Sequence, residues 1–410
     1  MEDFKGVKRF FALEHVVALL AIAIVHLAVF VTHNDLSAPP YWNGGVYGSS
    51  VQQYIDGGYS FDAIDTAKFP RFAMHQYLPS FVQQVMGWIW LVGAMHSAGV
   101  ELSVVYALLL FFGFLFTGWI LYFTTRHGLG AGPVAAVFAG IWFVMLPGTT
   151  IIYTVKAHPE PLVALFTAMI AFCVFTRRHL LGGACVFAGM LSKHSAFFAA
   201  MVAVGALMSE ACAPGRAEAR AGLRGGFISA LPYAAGAVLA MLVPAVFLAD
   251  TTPGYLFTKN TLRLIFGQDY GFSYQYILHN FDVLWIPFVL GAASGDTLIR
   301  RIGSAVFLLL LVMLSVVSDW WRNPYTSFFP FVLPVAAAFV DRLQVLSGIR
   351  VLVVFCGIAL ALMLVKTPLA TSQQPLWWTY VLVCLFFMII FSNSRSSSGR
   401  SGIESSYAGE

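Results

Sequence analysis

Charge is what this sequence lacks most. Lys, Arg, Asp and Glu make up 10% of its 410 residues, against about 25% in an ordinary soluble domain. So few charges do not cover a water-soluble globule. A soluble enzyme, a disordered protein and a nucleic-acid binder are thereby set aside. Cysteine is also scarce. Cys173, Cys185, Cys212, Cys356 and Cys384 are odd in number and scattered. They show no metal-ligand spacing and suggest no disulfide framework. What is present instead is apolar: 59% of the residues are hydrophobic and 15% are aromatic. The chain reads as a polytopic, all-α integral membrane protein in contact with the lipid bilayer.

A spanning helix needs roughly 20 apolar residues, because the hydrocarbon layer is about 30 Å thick and a helix rises 1.5 Å per residue. The first such stretch runs from Phe11 to Thr32. It is too long for a removable signal peptide and has no cleavage pattern. Further apolar stretches lie at 100–123, 133–153, 161–176, 180–193, 195–208, 227–249, 279–294, 302–318, 328–340, 350–365 and 376–391. About twelve spans are therefore expected, several of them short.

The connectors then alternate in charge. Lys5, Lys8, Arg9, Arg126, Arg177, Arg178, Arg216, Arg220, Arg224, Arg300, Arg301, Arg342, Arg350, Arg395 and Arg400 fall on one side, 15 of the 23 Lys and Arg. By the positive-inside rule that side is cytoplasmic and both termini lie there. The stretch Leu78 to Met95 is apolar enough to span, but counting it reverses every later loop. It reads instead as a helix in the outer interface, anchored by Trp88 and Trp90. Residues 33–99 thus form a long external segment within a membrane domain of 1–391. The Ser- and Gly-rich stretch 392–410 reads as a disordered cytoplasmic tail.

In a membrane protein, chemistry belongs to polar residues at membrane depth or in ordered outer loops. His33-Asn34-Asp35 follows the first span, where Asp35 is either a general base at the lipid face or the end of a helix. Lys156-Ala157-His158-Pro159-Glu160-Pro161 opens the fourth span. Glu160 there is either an acid matched to the helix dipole or part of a site with His158. Lys193 sits inside a long apolar run at 180–208. It either snorkels to the interface or, if the run is two short helices, stands at their outer junction facing a phosphate. The spacing of a nucleotide-binding P-loop is absent around it. Asp319-Trp320-Trp321-Arg322-Asn323-Pro324-Tyr325 precedes the tenth span, with Arg322 as a phosphate fork or an anchor. The outer loop 250–279 adds Lys259 and Arg263 among aromatics. Glu14, His15 and His26 in the first span read as structural residues facing other helices.

In order, these signals resemble the layout of the GT-C glycosyltransferases, the multi-spanning class that includes aminoarabinose transferases and protein O-mannosyltransferases. Asn34-Asp35 stands where the class carries an acid after the first helix. Tyr54-Ile55-Asp56-Gly57-Gly58-Tyr59 resembles the end of its first interfacial helix, and Leu78-Pro79 the start of the second. Pro159-Glu160 matches an acid opening the fourth span. Gly189, Leu191, Ser192 and Lys193 match a break bearing a lysine. Arg322, Tyr325, Pro330 and Pro334 match a basic stretch before a Pro-rich span. The resemblance covers residues 10–340. It departs from the class in the first loop, where one acid replaces the usual pair, which makes Asp56 the alternative base.

The resemblance implies inverting transfer of a sugar from a polyprenyl-phosphate donor to a lipid, glycan or protein acceptor. The active site would face outward from a bacterial inner membrane. Asp35 would act as base, with Glu160 and His158 assisting. Lys193 and Arg322 would hold the leaving phosphate, while Tyr325, Asp56, Lys259 and Arg263 complete the binding surface. No cofactor or obligatory metal is implied, although a divalent cation is compatible with such a site. The competing reading is a lipid or solute transporter or flippase. Against it stand the lack of a visible repeat between the two halves and the gathering of polar candidates on one side.

Overall fold

The computed structural model describes residues 13–34, 43–65, 81–146, 149, 156–209, 216–247, 284–295, 297–316 and 327–342. All regular structure among them is helical. In chain order the helices are α1 (Leu13–His33), α2 (Asn43–Asp56), α3 (Phe81–Ser97), α4 (Leu102–Phe123), α5 (Pro133–Met145) and α6 (Glu160–Phe175). Then come α7 (His179–Ser192), α8 (Phe197–Met208), α9 (Arg216–Phe247), α10 (Trp285–Ser294) and α11 (Thr297–Val316), and α12 at 327–342.

Ten of the twelve expected apolar stretches coincide with one of these helices. The stretches 350–365 and 376–391 and the tail lie outside the described residues, as do Asp35, Lys259, Arg263, Arg322 and Tyr325. Three segments are long and apolar enough to cross a membrane: Leu13–His33, Leu102–Gly128 and Arg224–Pro244. α5, α6, α7 and α8 are apolar but shorter. On these apolar helices the protein is an integral membrane protein.

Local sequence explains the helix ends. Pro133 and Pro161 sit in the first turns of α5 and α6, where a missing N–H costs nothing. α4 runs into a π-turn at Thr124–Gly128. Pro232 and Pro244 lie inside α9, which membrane helices tolerate when neighbours satisfy the freed carbonyls.

Between helices in lipid, hydrophobic burial gives no drive, so close packing does the work. Glycines supply it. A Cβ on Gly140 of α5 would stand 2.7 Å from the Gly118 carbonyl oxygen of α4. Gly183 of α7 and Gly236 of α9 meet backbone to backbone.

Contacts fix which helix ends lie together. Arg126 bonds Glu14 at the start of α1, at 2.9 Å. Gly128 packs on Phe175, two residues before Arg177. The Asp341 carboxylate, beside Arg342, accepts from the Gly132 N–H at 2.7 Å. The bases on these connectors thus gather at one end of the bundle. At the opposite end, α3 lies against the C-terminal turn of α7. A Cβ on Gly87 would meet the Leu191 carbonyl oxygen at 2.8 Å.

α2 and α3 build a second apolar core at that end. Val46, Tyr47, Val51 and Tyr54 of α2 pack with Val85, Trp88, Ile89 and Val92 of α3, and with Val105, Tyr106, Ala157 and Leu162 below. The apolar stretch 78–95 therefore corresponds to a 17-residue helix, kinked at Val85, that roofs the bundle together with α2.

Candidate functional site

The roof covers a buried ionic cluster. The chain approaches α6 through Lys156, which holds a left-handed backbone at φ 60°. That conformation is uncommon for a side-chain-bearing residue and marks a tight bend. Ala157 and His158 follow, both buried. Glu160 then opens α6, where the exposed N–H groups of the first turn favour a carboxylate. The Glu160 N–H donates to His158 Nδ1 at 3.4 Å, which leaves the proton of a neutral ring on Nε2.

Lys193 arrives from the other side. α7 ends at Ser192, and Lys193 itself is extended, with φ −165° and ψ 135°. Its N–H still donates to the Gly189 carbonyl at 2.9 Å. A 3-10 turn, His194–Ala196, then starts α8. The run 180–208 is thus two short helices with Lys193 at their junction, and the junction lies under the roof. Ser327 of α12 anchors the turn by donating from Oγ to the Ser195 carbonyl at 2.9 Å.

Lys193 Nζ donates to Glu160 Oε1 in a close ion pair. Glu160 is fully buried, and the Lys193 side chain is 9% exposed. His158 Nδ1 stands 3.8 Å from the same carboxylate oxygen. Tyr47 of α2 closes the cluster. Its ring centroid lies 4.6 Å from that of His158, edge to face, and 5.8 Å from Lys193 Nζ, within reach of a cation–π attraction. Trp88 of α3 packs on Tyr47 and stacks on Tyr106 of α4.

Two further groups in the turn after Lys193 matter. Among the described residues, His194 Nδ1 and Ser195 Oγ are buried without a hydrogen-bond partner. Each such group costs about 1–3 kcal/mol, so the turn holds polar capacity that the described residues leave unused.

Of the residues named from sequence, the structure brings together His158, Glu160 and Lys193. It does not bring Asp56 to them. Asp56 ends α2, exposed, and accepts from Gln52 Nε2 at 2.8 Å. It stands nine residues beyond Tyr47, roughly 13 Å along a helix. Glu14, His15 and His26 face neighbouring helices. Glu14 pairs with Arg126, His15 Nδ1 meets the Tyr122 hydroxyl at 2.7 Å, and His26 packs on Phe111.

Sequence reasoning passed over Tyr47. Its signal was the spacing of Tyr47, Ser50, Val51 and Tyr54, all buried on one face of α2. Among the described residues no group of three or more His, Cys, Asp and Glu gathers as a metal site.

No family model matches the chain, and no curated protein matches it. A solved structure that is similar is the crystal structure of the Archaeoglobus fulgidus oligosaccharyltransferase in complex with Zn and sulfate. It is 14% identical, with a TM-score of 0.49, over 84% of this chain and 51% of that one. The chain spans about half the length of that protein.

Proposed function

We propose that the protein is a membrane glycosyltransferase that moves a sugar from a polyprenyl-phosphate donor to an acceptor at the outer face of the membrane. The observation that carries this reading is the buried Lys193, held against Glu160 and His158 under an aromatic roof at one end of an apolar bundle. A lysine ammonium in such surroundings is costly unless an anion or a cavity offsets it. His194 Nδ1 and Ser195 Oγ, which follow it in the chain and have no hydrogen-bond partner among the described residues, suit the remaining oxygens of a phosphate. A lipid-linked phosphate is the anion that reaches such a depth with its chain still in the bilayer.

In the reaction, Lys193 holds the donor phosphate and stabilises the charge that develops as the sugar leaves. Asp35, placed after α1 by the sequence, takes the proton of the acceptor hydroxyl. Arg322, Tyr325, Lys259 and Arg263 belong to the sequence's own list of donor contacts. The sugar–phosphate bond breaks as the acceptor oxygen bonds to the anomeric carbon from the opposite face, so configuration inverts.

The test is transfer by the purified protein in nanodiscs, fed a polyprenyl-phosphate sugar and cell-envelope acceptors. Transfer that falls at least about tenfold in Lys193→Ala, a change of about 1.4 kcal/mol, supports the reading. An Asp35→Asn loss of roughly 10²–10⁴-fold supports the base. Translocation of an intact lipid without sugar transfer would assign the protein to the transporters instead. Orientation is tested in intact cells: an impermeant thiol reagent should label Asp56→Cys and spare Arg300→Cys.

A further inference from the structure

Buried polar atoms without a partner are rare, because each has lost its hydration uncompensated. His194 Nδ1 and Ser195 Oγ belong to the turn after Lys193 already described. Asn34 is a separate case. It is 8% exposed, and among the described residues neither its Oδ1 nor its Nδ2 has a hydrogen-bond partner. A carboxamide carries two N–H donors and an oxygen with two lone pairs, so its unused capacity exceeds that of a lone hydroxyl.

Asparagine at a helix end ordinarily turns its side chain back onto nearby backbone. The two residues before it do this. Thr32 Oγ1 donates to the Ala28 carbonyl at 2.7 Å, and His33 Nδ1 donates to the Val29 carbonyl at 2.9 Å. The Asn34 backbone N–H continues the helix by donating to the Phe30 carbonyl at 2.9 Å, but its side chain does not return. The place of Asn34 follows from how α1 lies on α4. The two run antiparallel: His15 meets Tyr122, Trp119 Nε1 donates to the Leu19 carbonyl at 3.2 Å, and His26 and Phe30 pack on Phe111. Continued at the same spacing, this pairing sets Asn34 level with the first two turns of α4. Those turns include Tyr106, whose ring stacks on Trp88 of the roof. Gly113, which meets Pro161, lies seven residues deeper along α4, roughly 10 Å. Asn34 therefore stands on the roof side of Glu160.

We propose that Asn34 is an acceptor-binding residue whose carboxamide takes two adjacent hydroxyls of a glycan acceptor, Oδ1 accepting from one and Nδ2 donating to the other. The inference rests on the reading of the protein as a membrane glycosyltransferase with Asp35 as its base. Asp35 is the next residue in the chain, so the carboxamide meets what flanks the hydroxyl that loses its proton. On a sugar ring that neighbour is a second hydroxyl, which both donates and accepts. A neutral amide serves it without placing another charge in an apolar bundle. The same pairing rejects an acceptor that lacks the hydroxyl, since the carboxamide is then left unpaired. An amide kept buried and unpaired in the empty protein destabilises it, which is the usual trade between a binding group and the fold that carries it.

The experiment uses the full chain in nanodiscs, a polyprenyl-phosphate sugar, and cell-envelope acceptors separated into glycan, lipid and protein fractions, with products read by mass spectrometry. Asn34→Leu should raise the KM for the glycan acceptor by at least about tenfold. The same variant should be more stable, because it removes orphaned buried groups: denaturant titration should move the unfolding equilibrium toward the folded state by about fivefold or more. A residue that only holds the fold would lose stability instead. Asn34→Ala, which cannot overpack, decides if leucine proves too large. It should keep wild-type stability or better and show the same loss of transfer. Loss of stability in both variants assigns Asn34 to a structural bond, such as one to an ordered water, and overturns the inference. Transfer to the glycan at the wild-type KM and rate in either folded variant also overturns it and leaves the glycosyltransferase reading standing. Absence of transfer by the wild-type protein removes that reading, and the inference with it. Transfer to the lipid or protein fraction alone overturns the assignment to a glycan.

Discussion

The two ends of the helical bundle each carry an acid paired with a base, and they differ in everything but the chemistry. At the end where the arginine connectors gather, Glu14 meets Arg126 at 2.9 Å with side chains 40% and 30% exposed. At the roofed end, Glu160 meets Lys193 with side chains 0% and 9% exposed. An exposed pair is screened and worth about 0–1 kcal/mol. A buried pair gains little over an apolar equivalent, but losing one member strands a charge and costs roughly 3–5 kcal/mol. The first pair is surface dressing at a helix end. The second depends on both of its members.

The largest effect that breaks this comparison is expected at Lys193. Lys193→Ala should destabilise the protein by roughly 3–5 kcal/mol and remove donor binding, read by denaturant unfolding and lipid titration in nanodiscs. The double change Lys193→Met with Glu160→Leu should recover most of that stability and remain inactive. If the double variant transfers sugar at the wild-type rate, the pair is structural and the site lies elsewhere.

A middle-sized effect is expected from packing beneath the pair. A Cβ on Gly113 would stand 2.7 Å from Pro161 Cβ and 3.0 Å from the Pro161 carbonyl oxygen. Gly113→Ala should cost about 1–3 kcal/mol through overpacking. Because Pro161 follows Glu160, donor affinity should drop in the same variant. Unchanged affinity would show that Glu160 is positioned independently of the α4–α6 contact.

The smallest effect is expected at the open end. Arg126→Ala should change stability by less than about 1 kcal/mol, with transfer near the wild-type rate. The difference should shrink further in high salt, since exposed pairs are screened over about 10 Å at 0.1 M. A loss comparable to that at Lys193 would mean that the two ends are not energetically distinct.

Much of the fold was legible in the sequence for one physical reason. A helix in lipid must be apolar along its length, so the apolar stretches mark the helices directly. The break at Lys193 was legible because a lysine inside an apolar run must sit at an end or an opening. The dual readings of Glu160 and Lys193 were not separable, since each side chain alone suits a bland role. Only their meeting across α6 and α7 joins them. Tyr47 illustrates the other limit. Periodicity shows which face of α2 is buried, but not that this face lies over a lysine 146 residues later in the chain. Asp56 lies apart from the cluster for the complementary reason. It is an acid in a suitable loop, yet its place at the far end of α2 turns it toward Gln52 and away from the cluster.

The sequence by itself determined that the chain is helical and membrane-embedded and which connectors carry its positive charge. These properties follow from composition and local periodicity, which each segment carries alone. Tertiary structure decided that the helix at 81–97 packs with α2 over the C-terminal turn of α7, that His158, Glu160 and Lys193 converge while Asp56 does not, and that Tyr47 lies against them. Those outcomes depend on glycine contacts and helix ends brought together from distant parts of the chain, and no local stretch of sequence encodes the distance between them.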